Sequence, residues 1–226
     1  MPSYNERENI LEAIARISEV LGNDLLEIIV VDDNSPDGTW KLVEDLNDPR
    51  YRLIRRQNKR GLASALADGT KAGQGDIIVW LDCDLGIPPE VIPRLVEKLD
   101  SHDIAIGSRY VPGGADNRPK IRAAMSTLFN RCARLLLGSK VLDYTSGFAA
   151  VRRDVLEKTP LSEKGFGDYF IDWAYRCVQK GYRIVEVPYA YGLRKAGISK
   201  TDGDFFTFLR LGFSYGLRVI QARLGR

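Results

Sequence analysis

Short apolar runs alternate with amphipathic stretches along this chain, a pattern typical of an α/β fold with a largely parallel sheet. Segments 27–32 and 77–81 are apolar on both faces and predict buried strands. Apolar residues three or four positions apart from Ile10 to Leu21 predict the first helix, and Asn5 with Glu8 has the spacing of a capping box. The same reasoning predicts strands near Leu53, at 104–106 and at 183–187, and helices at 61–72, after Pro88, at 121–137 and across Asp172.

The last part of the chain predicts an amphipathic helix over 203–226, separate from one α/β domain over 1–202. Its apolar residues recur at helical spacing: Phe206, Leu209, Phe213, Leu217, Ile220 and Leu224. The arginines among them exclude a bilayer span. Two interpretations remain open, because the stripe can pack on the domain or a second subunit, or lie in a membrane interface.

The amino-acid composition limits which cellular compartment and which classes of binding partner are expected. The chain has 226 residues, 44% of them hydrophobic and 28% charged, as in ordinary globular proteins. A formal net charge of +3 is too small to indicate nucleic-acid binding. The three cysteines are far apart and odd in number, so they predict neither disulfides nor a zinc site and favour a reducing compartment. With no signal peptide before the first motif and no membrane-spanning run, we expect a cytoplasmic protein.

Asp82 and Asp84 follow an apolar strand, where ligands of open α/β sheets usually bind. Two residues apart on an extended chain, their carboxylates can point the same way. Paired carboxylates suit Mg²⁺ or Mn²⁺, with a substrate diphosphate completing the oxygen shell. The alternative is a solvated strand end, because Asp-x-Asp alone is weak evidence.

A second acidic strand end lies at Asp32 and Asp33. Adjacent carboxylates repel each other, so we expect partners such as a ribose hydroxyl, a base N–H or local backbone amides. The alternative is an Asx-type turn that uses Asn34 and Asp37. For Asp32 a nucleotide contact is favoured, and the polar loop 2–6, ahead of a helix, is a second candidate for holding a nucleotide.

Phosphate recognition requires guanidinium, hydroxyl and ammonium groups from several segments. The candidates are Arg109, Arg122, Ser126, Arg194 and Lys200. Arg109 follows a strand expected near the strand of Asp84, and Arg122 and Ser126 share a helix face. Each residue alone is typical of a solvated surface charge, so the set carries weight only if the fold brings it together.

Other nucleophile and phosphate-loop chemistries are disfavoured. His102, the only histidine, lies in a polar connector, and Ser146 lacks both a Gly-x-Ser-x-Gly setting and a histidine partner. Gly61-Leu-Ala-Ser64 lacks the lysine of a phosphate-binding loop.

Taken together, these motifs resemble glycosyltransferase family 2, and within it the dolichol-phosphate mannose synthase branch. The likeness runs from Pro2 to about Lys200. It rests on residues 2–9, 30–38, 61–63, 82–85 with 88–90, 107–111 with 113–114, 146–148, 185–188 and 197–200.

The resemblance implies a GT-A fold, a Rossmann-like α/β/α sandwich, and assigns roles by matching positions. The donor nucleotide would contact Pro2, Tyr4, Asn5, Glu6, Val30, Asp32, Asp82 and Cys83. Asp82 and Asp84 would bind Mg²⁺ or Mn²⁺. Arg109, Arg122, Ser126, Arg194 and Lys200 would hold the acceptor phosphate, and Asp84, Arg109 and Arg122 would be the catalytic set.

The implied reaction is inverting transfer of a hexose, mannose favoured, from a nucleoside-diphosphate sugar to dolichyl or polyprenyl phosphate. The acceptor phosphate is anionic near neutral pH, so positioning and electrostatic stabilisation suffice without a strong base. Implied partners are the cytoplasmic membrane face, bound peripherally, and a homodimer mate or a membrane protein. Two alternatives stay open: transfer to a hydroxyl acceptor with Asp172 as base, and an inactive GT-A binding subunit.

The sequence departs from the family pattern at two places on which this interpretation depends. Members usually have an apolar strand just before the Pro-x-Tyr-Asn-Glu motif, whereas Met1 directly precedes Pro2 here. Close relatives carry Gln two residues after the second Asp, where this chain has Gly86.

Overall fold

The computed structural model describes residues 1–163, 165, 167–192 and 205–224, with side chains omitted for 205–213. Within these residues the strands are β1 (Pro2–Ser3), β2 (Ile28–Asp32), β3 (Tyr51–Arg55), β4 (Ile77–Trp80), β5 (Ile104–Ser108), β6 (Ala115–Asp116), β7 (Ala149–Arg152), β8 (Ile184–Pro188) and β9 (Ala190–Tyr191). The helices are α1 (Ile10–Leu21), α2 (Thr39–Glu44), α3 (Leu62–Ala72), α4 (Ile92–Lys98), α5 (Lys120–Leu137), α6 (Arg153–Lys158), α7 (Tyr169–Gln179) and α8 (Phe205–Arg223).

The strands form three sheets with mostly parallel pairing. β1, β2 and β3 make a parallel three-stranded sheet, the order β4-β7-β5-β8 makes a second sheet, and β6 pairs with β9. The predicted α/β architecture is therefore confirmed. The sequence did not predict β7, which runs antiparallel to both β4 and β5 and separates them. Arg109, after β5, is consequently not on a strand that neighbours the strand of Asp84.

The predicted capping box is wrong. Helix α1 begins at Ile10 with Asn9 at its N-cap position, and no side chain caps it. Asn5 has a φ of 55° and donates its backbone N–H to the Ser35 hydroxyl at 3.0 Å. The segment 5–9 therefore makes a turn before the helix and brings the first motif against the loop that follows β2.

The strand that carries Asp82 is less buried than its apolar sequence predicts. Ile77, Ile78 and Val79 are each half-buried, because an apolar slot of about 560 Å³ separates β4 from β2. The Met1 amino group donates to the Ile29 carbonyl at 2.8 Å beside this slot, and burial lowers its pKa. The structure thus has a gap between its two larger sheets where the family pattern led us to expect an apolar strand.

The core on the other side of β4 is continuous and rich in aromatic rings. Trp80 lies edge-on to Trp173 and Phe170, with ring centroids 4.7 Å and 6.4 Å away. Both partners are on α7, so this helix covers one face of the second sheet. The burial of Trp80 fixes the end of β4, and therefore also the start of the segment 82–84, which we call the acidic turn.

Helix α8 packs on the domain through residues outside the predicted stripe. Val219 and Ala222 are buried, and the Tyr215 ring lies 5.7 Å from that of Phe129. Leu217 and Leu224 of the predicted stripe are 45% and 63% exposed. The stripe is therefore mostly solvent-facing where side chains are described. No helix in the described part of the chain has both the length and the apolar character that a bilayer crossing requires.

Candidate active site

The acidic motif forms a turn and not the extended strand end that we predicted. β4 ends at Trp80, the chain turns at Cys83 and Asp84, and Leu85 has a φ of 56°. Asp82 is exposed, whereas Asp84 is 3% exposed and its Oδ1 accepts the Gly86 N–H at 2.9 Å. The two carboxylates therefore differ in environment, one fixed by the turn and one at the surface.

Cys83 links this turn to the first motif. Its Sγ donates to the Pro2 carbonyl at 3.2 Å, and the side chain is 2% exposed. Burial raises the pKa of the thiol, so it stays protonated and is a poor metal ligand. The predicted nucleotide contact through this side chain is not supported by the structure, because Cys83 holds Pro2 and β1 against the acidic turn instead.

The acidic turn fits a cation that is shared with a substrate. Among the described residues, no three His, Cys, Asp or Glu side chains group together as a complete metal site. Mg²⁺ and Mn²⁺ prefer oxygen ligands and commonly combine one or two carboxylates with substrate phosphates and water. Asp82 and Asp84 supply such carboxylates and leave most of the coordination shell to the substrate.

Asp32, at the end of β2, has no exposed surface. Its Oδ2 accepts the hydroxyls of Ser3 at 2.5 Å and Ser35 at 2.6 Å, and its Oδ1 accepts the Ser35 N–H at 2.8 Å. Val30 is likewise 0% exposed, within the core. In this structure Asp32 ties β1 to the loop after β2, and a nucleotide contact at either position stays a prediction.

Asp33 belongs to a buried network that the sequence did not indicate. It accepts the Nε of Arg56 and, at 2.8 Å, the backbone N–H of Gly61. Arg56 also donates to Asp68 at 3.0 Å, and its side chain is 4% exposed. The network fixes the start of α3 beside the end of β2.

Part of the first motif is available to a ligand. Asn5 is exposed, and the half-buried Tyr4 ring lies 3.7 Å beneath the Arg60 guanidinium. Glu6 is 5% exposed, accepts the Asn9 side-chain amide at 2.9 Å and donates its backbone N–H to Thr39. Tyr4 and Asn5 thus remain candidates for contacting a nucleotide, whereas the packing of Glu6 indicates a structural role.

Arg109, a predicted phosphate-binding residue, has its guanidinium buried in protein contacts. It is 6% exposed and donates to Asp143 through Nε at 2.8 Å and Nη2 at 2.7 Å, and to Thr145 at 2.8 Å. Burial alone would lower the pKa of Arg109, but the Asp143 carboxylate outweighs burial and raises it. The residue is a fixed positive charge whose fork is already occupied.

The hydroxyl-bearing face of α5 lies against this arginine. Tyr110 donates its hydroxyl to Ser126 at 2.8 Å, and the Asn130 amide donates to Thr145 at 2.9 Å. Arg122 is half-buried one turn before Ser126. Ser126 therefore bonds the neighbour of Arg109, and Arg109 and Asn130 share Thr145. Arg194 and Lys200 lie outside the described residues.

Sequence reasoning missed Arg118 and Tyr191. Arg118 pairs with Asp116, donating from Nε to Oδ1 at 2.8 Å, and its guanidinium lies 5.1 Å from the Tyr191 ring centroid. The Arg109 guanidinium lies 5.9 Å from the same centroid. The only sequence signal was an arginine and an aromatic residue within two Gly-containing segments that β6 and β9 bring into register.

Two other candidates have ordinary surroundings. Asp172 accepts Nε of Arg176 at 2.9 Å, an ion pair within one turn of α7. His102 is half-buried in its connector and bonds the Ser101 hydroxyl at 2.9 Å.

A largely parallel α/β fold with an acidic turn at a strand end, facing fixed arginines, defines the GT-A class of glycosyltransferase. The comparisons with known proteins specify the family. Residues 1–159 match the model of glycosyl transferase family 2, and the chain belongs to that family.

Curated relatives are at least a third identical to this chain over the aligned residues. A dolichol-phosphate mannosyltransferase of Pyrococcus furiosus is 42% identical over 217 residues, which cover 93% of this chain and 60% of that protein. A polyprenol monophosphomannose synthase of Mycolicibacterium smegmatis is 40% identical, over 90% of this chain and 80% of that protein. An undecaprenyl-phosphate mannosyltransferase of Micrococcus luteus is 35% identical over 100% of this chain and 97% of that protein.

Solved structures confirm the fold. Glucosyl-3-phosphoglycerate synthase from Mycobacterium tuberculosis, in complex with Mn²⁺, UDP and phosphoglyceric acid, matches with a TM-score of 0.76 over 98% of this chain and 76% of that chain. The same enzyme with Mg²⁺ and UDP matches with a TM-score of 0.74. Sequence identity is 20% in both cases, so these structures support the fold and not the substrate.

Proposed function

We propose that this protein transfers a hexose, with mannose favoured, from a nucleoside-diphosphate sugar to a polyprenyl or dolichyl phosphate, with inversion at the anomeric carbon. The support is the family, together with relatives whose names describe mannosyl transfer to dolichol, polyprenol or undecaprenyl phosphates.

One geometric observation carries the proposal. The side chain of Tyr191 has Asp84 near its hydroxyl and two arginines near its ring. A Cβ added at Gly86 would lie 3.1 Å from the Tyr191 hydroxyl and 3.2 Å from Asp84 Oδ1. The ring of the same tyrosine lies within 6 Å of the guanidinium groups of Arg118 and Arg109. A diphosphate with its cation on the acidic side and a second phosphate on the basic side would therefore be neighbours.

The residues of this chain would act by binding and orientation. Asp82 and Asp84 would hold a divalent cation with the donor diphosphate, and the cation would offset negative charge on the leaving nucleotide. Tyr4 and Asn5 would line the nucleotide. Arg109, locked by Asp143, would supply a preorganised positive field.

The acceptor phosphate would bind on the basic side of the same cleft. Arg122 and Ser126 would contact its oxygens, with Arg118 beside them. Because a monophosphate is already largely ionised near neutral pH, the attacking oxygen needs no general base. The ion pair of Asp172 with Arg176 gives no support to the alternative in which Asp172 activates a hydroxyl acceptor.

The surface around α5 supports peripheral binding to an anionic membrane. Helix α5 carries four basic and no acidic residues, and α8 carries three basic and no acidic residues. Among the described side chains, the exposed large apolar residues of these helices and of the position after α8 are Ile121, Met125, Leu128, Leu135, Leu136, Leu217, Ile220 and Leu224. Basic helices with exposed apolar side chains bind anionic lipid interfaces, where a polyprenyl phosphate would be anchored.

The test is a transfer assay with GDP-mannose and UDP-glucose as donors, and polyprenyl phosphate or a polyprenol as acceptor. We expect Mn²⁺- or Mg²⁺-dependent formation of a mannosyl phospholipid with polyprenyl phosphate only. Transfer to the polyprenol, or to a glycan hydroxyl in its place, would contradict the proposal. Nucleotide binding without transfer to any of these acceptors would favour a binding subunit.

A further inference from the structure

Gly86 is a glycine because of a close approach and not because of its backbone conformation. It is absent from the described residues with positive φ. Instead, a Cβ at this position would lie 3.1 Å from the Tyr191 hydroxyl and 3.2 Å from its Cε1, closer than side chains normally pack. The Gly192 N–H donates to the Gly86 carbonyl at 2.7 Å, which locks the two segments together.

The Tyr191 hydroxyl therefore occupies the space from which a side chain at position 86 would extend. Asp84 Oδ1 lies 3.2 Å from the same point, so the hydroxyl is beside the carboxylate that we assign to the cation. No other residue that the structure describes forms a hydrogen bond with this hydroxyl. Among the residues that the structure describes, this hydroxyl is therefore a polar group beside the acidic turn whose hydrogen-bonding capacity is unused.

The Tyr191 hydroxyl is suited to donating a hydrogen bond to an anion. A phenol keeps its proton near neutral pH, and two guanidinium groups flank the ring. Asp116, its register partner in β6, is held by Arg118, which also stacks on the ring. Arginines on the ring side and acids on the hydroxyl side fix the tyrosine between the two halves of the cleft.

We propose that the Tyr191 hydroxyl binds the donor diphosphate, donating a hydrogen bond to one of its oxygens on the side of the cleft where Asp84 lies. This inference rests on the proposed function, because it assumes a cation-bound diphosphate at Asp82 and Asp84. Phosphate oxygens are the acceptors that such a donor would meet beside the cation, and a hydrogen bond to a charged group is stronger than a neutral one.

The test compares Mn²⁺-dependent binding of GDP and UDP, measured by calorimetry, in the wild type and in Tyr191→Phe. This substitution removes one oxygen and keeps the ring under the arginines. We expect the dissociation constant of the better-bound nucleotide to rise about 10-fold to 100-fold. The ligand-free melting temperature should not change, which separates lost binding from lost folding.

Tyr189→Phe is the matched control, because it removes a buried hydroxyl two residues away that has no hydrogen-bond partner among the described residues. It should leave nucleotide affinity at the wild-type value. Gly86→Ala should weaken binding in the wild type, where the new Cβ meets the hydroxyl. The same substitution should have a smaller effect in Tyr191→Phe, where the contacts with Cε1 and with Asp84 Oδ1 remain but the hydroxyl is gone.

The outcomes separate this inference from the proposed function. If the wild type binds a nucleotide with Mn²⁺ and Tyr191→Phe binds it as tightly, the role of Tyr191 is overturned while the proposed function stands. If the wild type binds neither GDP nor UDP in the presence of Mn²⁺, the proposed function is wrong and the assignment of Tyr191 is overturned with it.

Discussion

The two acidic strand ends of this protein have the same kind of sequence and opposite environments. After β2, Asp32 is completely buried and accepts hydrogen bonds from Ser3 and Ser35. After β4, Asp82 is exposed, and the buried Asp84 accepts the N–H of Gly86 beside the hydroxyl of Tyr191. We call the end of β2 the closed end, because donors from the protein occupy its carboxylate. We call the end of β4 the open end, because Asp82 is exposed there.

The difference shows why position after a strand does not by itself identify a ligand-binding acid. A buried carboxylate needs hydrogen-bond donors, and at the closed end two serine hydroxyls and a backbone N–H provide them. We therefore assign Asp32 to stability and the acidic turn to chemistry. Four predictions test this division, from the largest expected effect to the smallest.

At the open end, Asp84→Asn should abolish most of the activity. It removes a negative charge from the cation site while keeping an oxygen that can accept the Gly86 N–H. We expect kcat/KM to fall about 1,000-fold, since a metal supplies several kcal/mol of charge stabilisation. The melting temperature should stay within about 2 °C of wild type. An Asp84→Asn enzyme with wild-type activity would contradict the assignment of the acidic turn to chemistry.

At the closed end, Asp32→Ala should lower the free energy of unfolding by about 2–4 kcal/mol, because Ser3 and Ser35 lose a buried acceptor. Urea denaturation measures the change. Asp82→Ala is the control at the open end, and its exposed side chain should cost less than about 1 kcal/mol. Equal destabilisation by the two substitutions would show that the two ends do not differ as described.

Binding of the protein to the membrane that carries the lipid acceptor should depend on the exposed face of α5. Replacing Leu128 and Leu135, which are 56% and 85% exposed, by Asp should weaken binding to vesicles with anionic lipid about tenfold or more. Leu26→Asp, at a residue 59% exposed outside α5 and α8, is the control. Unchanged vesicle binding together with a loss of dimer in light scattering would assign this face to a second copy of the chain.

Asp116 should give the smallest effect, because asparagine keeps an oxygen that can accept the hydrogen bond from Arg118. Burial would raise the pKa of Asp116, but the hydrogen bonds from Arg118 lower it below its ordinary value. A lowered folded-state pKa contributes stability that is present above about pH 4 and is lost as the pH falls through the folded value.

Asp116→Asn should therefore cost about 0.5–1 kcal/mol of unfolding free energy at pH 7, and much less near pH 2.5. Thermal denaturation at the two pH values measures the difference. A cost that is equal at both would assign Asp116 to packing and not to charge pairing.

Periodicity predicted most of the fold, and the misses have physical causes. Helix α5 was expected at 121–137 and is found at Lys120–Leu137, because its apolar spacing is regular. Strand β7 was missed because Ala149 and Ala150 carry little of the β-branched or aromatic signal typical of strands. The pattern left open whether the α8 stripe packs on the domain, and in the described side chains small residues such as Ala222 pack inward while larger ones stay exposed.

The residue types predicted which chemical groups the site contains, but they did not predict which of these groups are already bound to other residues of the protein. The sequence marks Arg109 as a cation but does not show that Asp143, 34 positions away, already occupies its fork. Similarly, the sequence alone indicates that Gly86 lacks the side chain of a metal or phosphate ligand. The structure shows that the Tyr191 hydroxyl lies beside this glycine. Long-range pairs of this kind depend on which strands become neighbours, and β7 and β9 could not be placed from the pattern alone.

The acidic turn as a cation–diphosphate site is tested most directly by nucleotide binding with and without metal. Calorimetric titration of GDP and UDP into wild type, Asp84→Asn and Asp32→Asn, each with Mn²⁺ or with EDTA, compares the two strand ends in one experiment. We predict binding that requires Mn²⁺, is lost in Asp84→Asn and persists in folded Asp32→Asn. Nucleotide binding that is equally tight in EDTA, or unchanged in Asp84→Asn, would contradict the assignment.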